Sequence, residues 1–107
     1  MENRKLKNDK AEEIVMRKAS EFIQKESNGQ SLVTVTNISA SEDFKNATIF
    51  VTVFPEHKQE AALDFLKRQR GAFKDFIKEE TRLNRIPHFD FACDLGEKSR
   101  QRVDELL

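Results

Sequence analysis

The chain has no tryptophan and no tyrosine, a single cysteine, two prolines, three glycines and two histidines. Each shortage closes off a class of protein. Cys93 has no partner for an internal disulfide and nothing around it has metal-ligand spacing, so a reducing compartment, the cytoplasm, is the expected setting. No stretch approaches the roughly 20 apolar residues of a membrane span. Met1 to Lys10 is charged where a secretion signal would carry an apolar run. The sequence also lacks a Walker loop, a nucleophile elbow, a glycine-rich dinucleotide turn and a CxxC pair, so the common nucleotide, hydrolase and redox signatures are absent. The GxxG loop with which many KH domains clamp nucleotides is missing too.

What remains is one highly charged domain. A chain of 107 residues has room for a single core. Its hydrophobic and charged fractions are nearly equal, at 37% and 36%, and the nine phenylalanines are expected mostly inside. Nineteen basic residues cancel nineteen acidic ones. A net charge of zero removes the simplest argument for nucleic-acid binding, so any such site must arise from how the charges are distributed.

From Asp9 to about Ser27, Ala11, Ile14, Val15, Ala19, Phe22 and Ile23 recur at helical spacing, with Asp9 and Glu12 placed to cap the start. Ser27-Asn28-Gly29 supplies a stop. Residues 1–8 are expected to form a flexible basic arm ahead of the helix. Leu32 to Ala40 and Phe44 to Phe54 alternate in polarity and are rich in Val, Ile, Thr and Phe, with Ser41-Glu42-Asp43 between them, which predicts an antiparallel hairpin. Pro55 ends the second strand. Glu56 to Arg85 has a helical pattern, and Gly71 predicts a break or kink into two helices, because glycine inside a helix costs about 1 kcal/mol relative to alanine. After Pro87, Phe89, Phe91 and Cys93 alternate with His88, Asp90 and Ala92 as a third strand. Gly96 to Leu107 reads as a short helix or tail. The order predicts an α+β domain: an antiparallel sheet of three strands with helices on one face.

At about 100° per residue, Lys67, Arg70, Lys74, Lys78, Arg82 and Arg85 fall within about a third of the helix circumference, opposite Leu66, Phe73, Phe76 and Ile77. Arginine offers phosphate a bidentate fork and lysine a mobile point charge, so such a stripe can track an RNA backbone. A solvated helix face is the commoner meaning of this spacing, and Asp64, Asp75 and Glu79 lie beside it. Arg4, Lys5, Lys7 and Lys10 form a second basic group, readable as an RNA-contacting arm or as a solubilising tail. Phe50, on the outer side of its strand, can serve as a base-stacking platform or pack under a neighbouring segment. His88, Asp90 and Asp94 share one strand face and are the best available metal or acid-base cluster, the basis for a rival reading as a small metal-dependent hydrolase. No cysteine or second histidine completes a metal site there.

The run Leu32-Val33-Thr34-Val35-Thr36, then Ser41-Glu42-Asp43-Phe44-Lys45-Asn46-Ala47-Thr48-Ile49-Phe50-Val51-Thr52-Val53, resembles the hairpin signature of the ribosome-binding factor A family. The resemblance continues in Phe22-Ile23-Gln24-Lys25-Glu26, in Arg82-Leu83-Asn84-Arg85-Ile86-Pro87 leading to Phe89, Phe91 and Asp94, and in Arg102-Val103 with Leu106-Leu107. It spans nearly the whole chain. It implies a type II KH-like fold (helix, two strands, helix, kink, helix, strand) without GxxG. It also implies a monomeric, non-catalytic protein with no cofactor and no small-molecule substrate, bound to the small (30S) ribosomal subunit and its 16S rRNA near the decoding region. Late assembly, processing of the 5′ end of that RNA and growth at low temperature are the implied roles. On this view Gly71 and Ala72, with Arg70 before them, occupy the kink and join the stripe as RNA-contacting positions, and Arg100 and Arg102 add contacts. The family usually has Ala-x-Gly at the kink, where this chain has Arg70-Gly71-Ala72 before Phe73. It usually has an acidic-Pro loop after the first helix, where this chain has Ser27-Asn28-Gly29. A different ribosome-associated module of the same fold is the nearest rival.

Overall fold

The structure is a computed structural model that describes the backbone of residues 2–26 and 31–96 and the side chains of residues 9–26 and 31–96. Helix α1 runs from Glu2 to Glu26. It therefore begins seven residues before the expected Asp9, and the backbone of residues 2–8, expected as a separate arm, forms its first turns. Nothing in Asn3-Arg4-Lys5-Leu6-Lys7 breaks a helix, since none is glycine, proline or β-branched. Asp9 and Glu12 consequently lie inside the helix rather than capping it, and partial burial together with the Asp9 charge raises the Glu12 carboxyl above its usual range. Val15, Ala19, Phe22 and Ile23 are buried along one stripe, as their spacing requires. The Ser27-Asn28-Gly29 stop and the segment after Gly96 lie outside the described residues.

Strands β1 (Leu32–Ala40) and β2 (Asn46–Phe54) pair antiparallel. The register slips between Val35 and Asn37, which leaves Thr36 as an extra residue. That bulge reconciles two phases of the sequence: Val33 and Val35 face the helices before it, Ile38 and Ala40 after it. The turn is built on Ser41. Its hydroxyl donates to Asp43 Oδ1 at 2.8 Å and accepts the Lys45 and Asn46 backbone N–H groups at 3.1 and 3.0 Å. Phe44 takes a left-handed backbone, φ 57°, with its ring buried, so β2 starts at Asn46 rather than at Phe44.

Beyond a short turn at Glu56–Lys58, α2 (Gln59–Arg68) and α3 (Arg70–Glu80) meet at Gln69. The second helix ends five residues short of the expected Arg85. Thr81 turns extended (φ −134°, ψ 168°), and its backbone N–H and hydroxyl both donate to the Ile77 carbonyl, at 3.0 and 2.7 Å. Strand β3 (His88–Cys93) then pairs with β2 in parallel, Ala47 beside Phe89 and Ile49 beside Phe91. The sheet, in order β1-β2-β3, is therefore mixed rather than wholly antiparallel. Two helices carry the chain back across the sheet before β3, the long connection that parallel pairing needs.

The core lies between this sheet and the helices. Phe73 is its hub: fully buried, its ring centroid is 5.2 Å from Phe22, 4.7 Å from Phe89 and 5.7 Å from Phe91. One side chain of α3 thus touches both α1 and β3. The cations on the outer side of α3 inherit that fixed position. As expected of the aromatic complement, most rings face inward, with Phe54 an exposed exception and Phe50 half-buried on the helix-free side.

Candidate nucleic-acid interface

The break at Gln69 arises because its backbone leaves the helical region (φ −91°, ψ 7°), while its N–H still bonds the Phe65 and Leu66 carbonyls. Its own carbonyl accepts the Phe73 N–H at 2.8 Å, which starts the next helix. Leu66, Phe73 and Ile77 are buried, so Lys67, Arg70, Lys74 and Lys78 are held on the outer side. Gly71 and Ala72 are exposed in the first turn of α3, and a Cβ added at Gly71 would meet nothing within 4 Å.

β3 is an edge strand, and three of these cations line up along it. Arg70 Nε donates to the Lys67 carbonyl at 2.9 Å, which ties the guanidinium to the end of α2. Lys67 Nζ and Arg70 Nη1 each lie 3.4 Å from one oxygen, Asp90 Oδ1. That oxygen also accepts the Phe91 backbone N–H at 2.9 Å. Lys74 Nζ is 3.4 Å from His88 Nδ1. Lys78, a turn further on, is exposed and has no partner among the described residues. The Asp90 pairs are roughly half exposed, so each adds at most about 1 kcal/mol to stability.

The expected six-residue stripe is therefore two groups. Because α3 stops at Glu80, Arg82 and Arg85 leave the helix, and Arg85 Nη1 donates to the Asp43 carbonyl in the β1–β2 turn at 2.9 Å. Arg82 is exposed and without a partner among the described residues. Both arginines line a cleft with Lys10 of α1, Glu42, Asp43, Phe44 and Asn84. The two groups meet at the start of β3, where the His88 N–H donates to the Lys45 carbonyl at 2.9 Å. Lys45 is exposed beside Asp43, and as a lysine in a hairpin turn it carries no periodic signal by which the sequence could mark it. The side chains of Arg4, Lys5 and Lys7 lie outside the described residues, as do Arg100 and Arg102.

The acid-base cluster does not assemble. Asp90 faces Lys67 and Arg70, whereas Asp94 accepts the Thr36 hydroxyl and its N–H donates to the Val51 carbonyl. Among the described residues no group of histidine, cysteine and carboxylate side chains could hold a metal ion, and no helix is long and apolar enough to cross a membrane.

A KH-like α+β domain with helices on one face of a three-stranded sheet, a broken helix pair and a basic edge is the class these features define. The family model described as ribosome-binding factor A matches residues 7–107, and the chain belongs to that family. Ribosome-binding factor A of Thermodesulfovibrio yellowstonii is 29% identical over 70% of this chain and 64% of that protein, so the chain spans less than two thirds of that relative's length. The crystal structure of ribosome-binding factor A from Thermus thermophilus superimposes with a TM-score of 0.71 at 26% identity, covering 79% of this chain and 92% of that one. A homology model of the Thermus thermophilus factor, fitted into a cryo-electron microscopy map of its complex with the 30S subunit, gives a TM-score of 0.67 at 26% identity, covering 77% and 89%.

Proposed function

We propose that this chain is a non-catalytic assembly factor that binds the small ribosomal subunit through 16S rRNA, assists late maturation and 5′-end processing, and supports growth at low temperature. It works in the cytoplasm as a monomer, without a cofactor or small-molecule substrate. The observation that carries this reading is the row Lys67, Arg70, Lys74 and Lys78 on the outer side of the α2–α3 break, with exposed Gly71 and Ala72 between them. Arg82, Arg85 and Lys10 extend the contact around the β1–β2 turn, and Arg4, Lys5 and Lys7, whose backbone belongs to α1, complete the proposed set. Family membership and the fitted 30S complex of the Thermus thermophilus relative support the choice of partner. The chemistry is phosphate neutralisation by a preformed surface, in which the sheet and core serve as the frame.

Co-sedimentation with immature small subunits over a salt series tests the reading. Six phosphate contacts of the single-strand kind give a slope of about −4 in log affinity against log salt. Salt-insensitive binding, or no binding to immature small subunits, defeats it. Preference for large subunits or free RNA would instead identify another ribosome-associated module of this fold.

A further inference from the structure

Among the described residues, Asp90 is the one acidic side chain ion-paired with the basic row on α2 and α3. It stands on an edge strand between Phe89 and Phe91, both buried, so the backbone beneath it cannot slide without opening the core. The Phe91 N–H then fixes its Oδ1 at 2.9 Å, where Lys67 and Arg70 each approach to 3.4 Å. Those two contacts are longer than the roughly 2.7–2.9 Å of a tight charge-assisted hydrogen bond, and all three side chains are about half exposed, so both cations can exchange partners. A phosphate can form the same two contacts from the solvent side. It must do so beside a carboxylate of like charge or displace it.

We propose that Asp90 is a specificity-determining residue, an internal competitor for phosphate that weakens the grip of Lys67 and Arg70 on RNA of arbitrary shape. This inference rests on the RNA-binding reading given above. Among the described residues Lys78 has no partner and Lys74 meets only a histidine, so the direct ion pairing of the row is confined to the α2–α3 break and absent toward the end of α3. A single phosphate at the break gains little. An RNA strand whose phosphates engage Lys74 and Lys78 together presents its next phosphate at high local concentration, and that linkage offsets the competition from Asp90. Asp90 thus favours an RNA surface that matches the whole row over one that touches part of it.

The test is Asp90→Asn, an isosteric change that keeps an acceptor for the Phe91 N–H, measured by fluorescence anisotropy with a labelled oligouridylate. Two like charges about 6 Å apart in a medium between surface and bulk water repel enough to change affinity roughly three- to tenfold. D90N should therefore bind oligouridylate tighter by that factor at low salt, with the advantage shrinking as salt rises. It should gain less on small subunits, Asp90→Glu should behave as wild type, and adding Lys67→Gln with Arg70→Gln should abolish the gain. Thermal unfolding confirms that each variant is folded. Equal or weaker binding of oligouridylate by folded D90N, or a gain that survives removal of both cations, overturns the proposal. Failure of the wild-type chain to bind small subunits is a separate result that defeats the assembly-factor reading instead.

Discussion

Replacing Gly71 by alanine separates what this residue does for the fold from its proposed part in RNA binding. The glycine sits in the first turn of α3 without a positive φ, and a Cβ there has open space around it. Alanine can adopt the native conformation unstrained, and it lowers the entropy of the unfolded chain, so the substitution should stabilise the protein by about 0.4–1 kcal/mol. For a domain of this size that corresponds to a rise of about 2–8 °C in Tm. Binding should move the other way. The first turn of a helix leaves backbone N–H groups without intrahelical partners, and no side chain caps this one, so the N–H groups at the break are left for an outside acceptor. A methyl group at Gly71 would hold a phosphate away from them. Loss of one such hydrogen bond, worth about 1 kcal/mol, weakens small-subunit binding roughly fivefold. Differential scanning calorimetry and co-sedimentation on the same preparation give both quantities. A lowered Tm would refute the conformational argument, and a raised Tm with unchanged affinity would refute close approach of RNA to the break.

Phe73→Ala removes the ring shared by α1, α3 and β3, and should cost about 3–5 kcal/mol, a large part of the stability of a small domain, read as a shift in denaturation midpoint. The Ser41 hydroxyl, followed by the Lys45 N–H, holds the Asp43 carboxyl below its usual range. A depressed value in the folded state means stability that is present above the ordinary carboxylate pKa and lost as pH falls through the folded value. Ser41→Ala should therefore raise the Asp43 pKa toward the ordinary value in an NMR titration and reduce the acid-side loss of stability; an unchanged titration would show that the turn does not rest on this hydroxyl.

Much of the fold is legible in the sequence because its elements are amphipathic at their own periods. Val15, Ala19, Phe22 and Ile23 mark α1, Ala47, Ile49 and Val51 mark the inner side of β2, and Phe89 and Phe91 mark β3. What periodicity cannot supply is where an element stops when the pattern continues. Leu83 and Ile86 carry apolar side chains past Glu80 and prolong the helical signal, yet they pack on the core from an extended segment that begins at Thr81. The parallel direction of β3 follows from the path of the helices, not from any property of its six residues. The bulge left a trace: the inward phase shifts by one between Val35 and Ile38, a slip that would have located Thr36.

The basic residues on α2 and α3 are legible as a helix face, but their partners are not. Asp90 is twenty residues from Arg70 in the chain, and only the tertiary fold makes them neighbours. Arg82 and Arg85 share that face only if the helical rotation is carried beyond Glu80, where the helix ends. Their place beside Lys10 and the β1–β2 turn depends on the connector that follows Thr81.

Phe73 wedges α3 simultaneously against a helix and a strand. The lysines and arginines outside it therefore ride on a rigid keel, and their mutual spacing is settled when the chain folds. On the proposed reading, association has only side-chain freedom to restrict, not a backbone to order, which would let a surface of modest charge recognise a large ribonucleoprotein by shape.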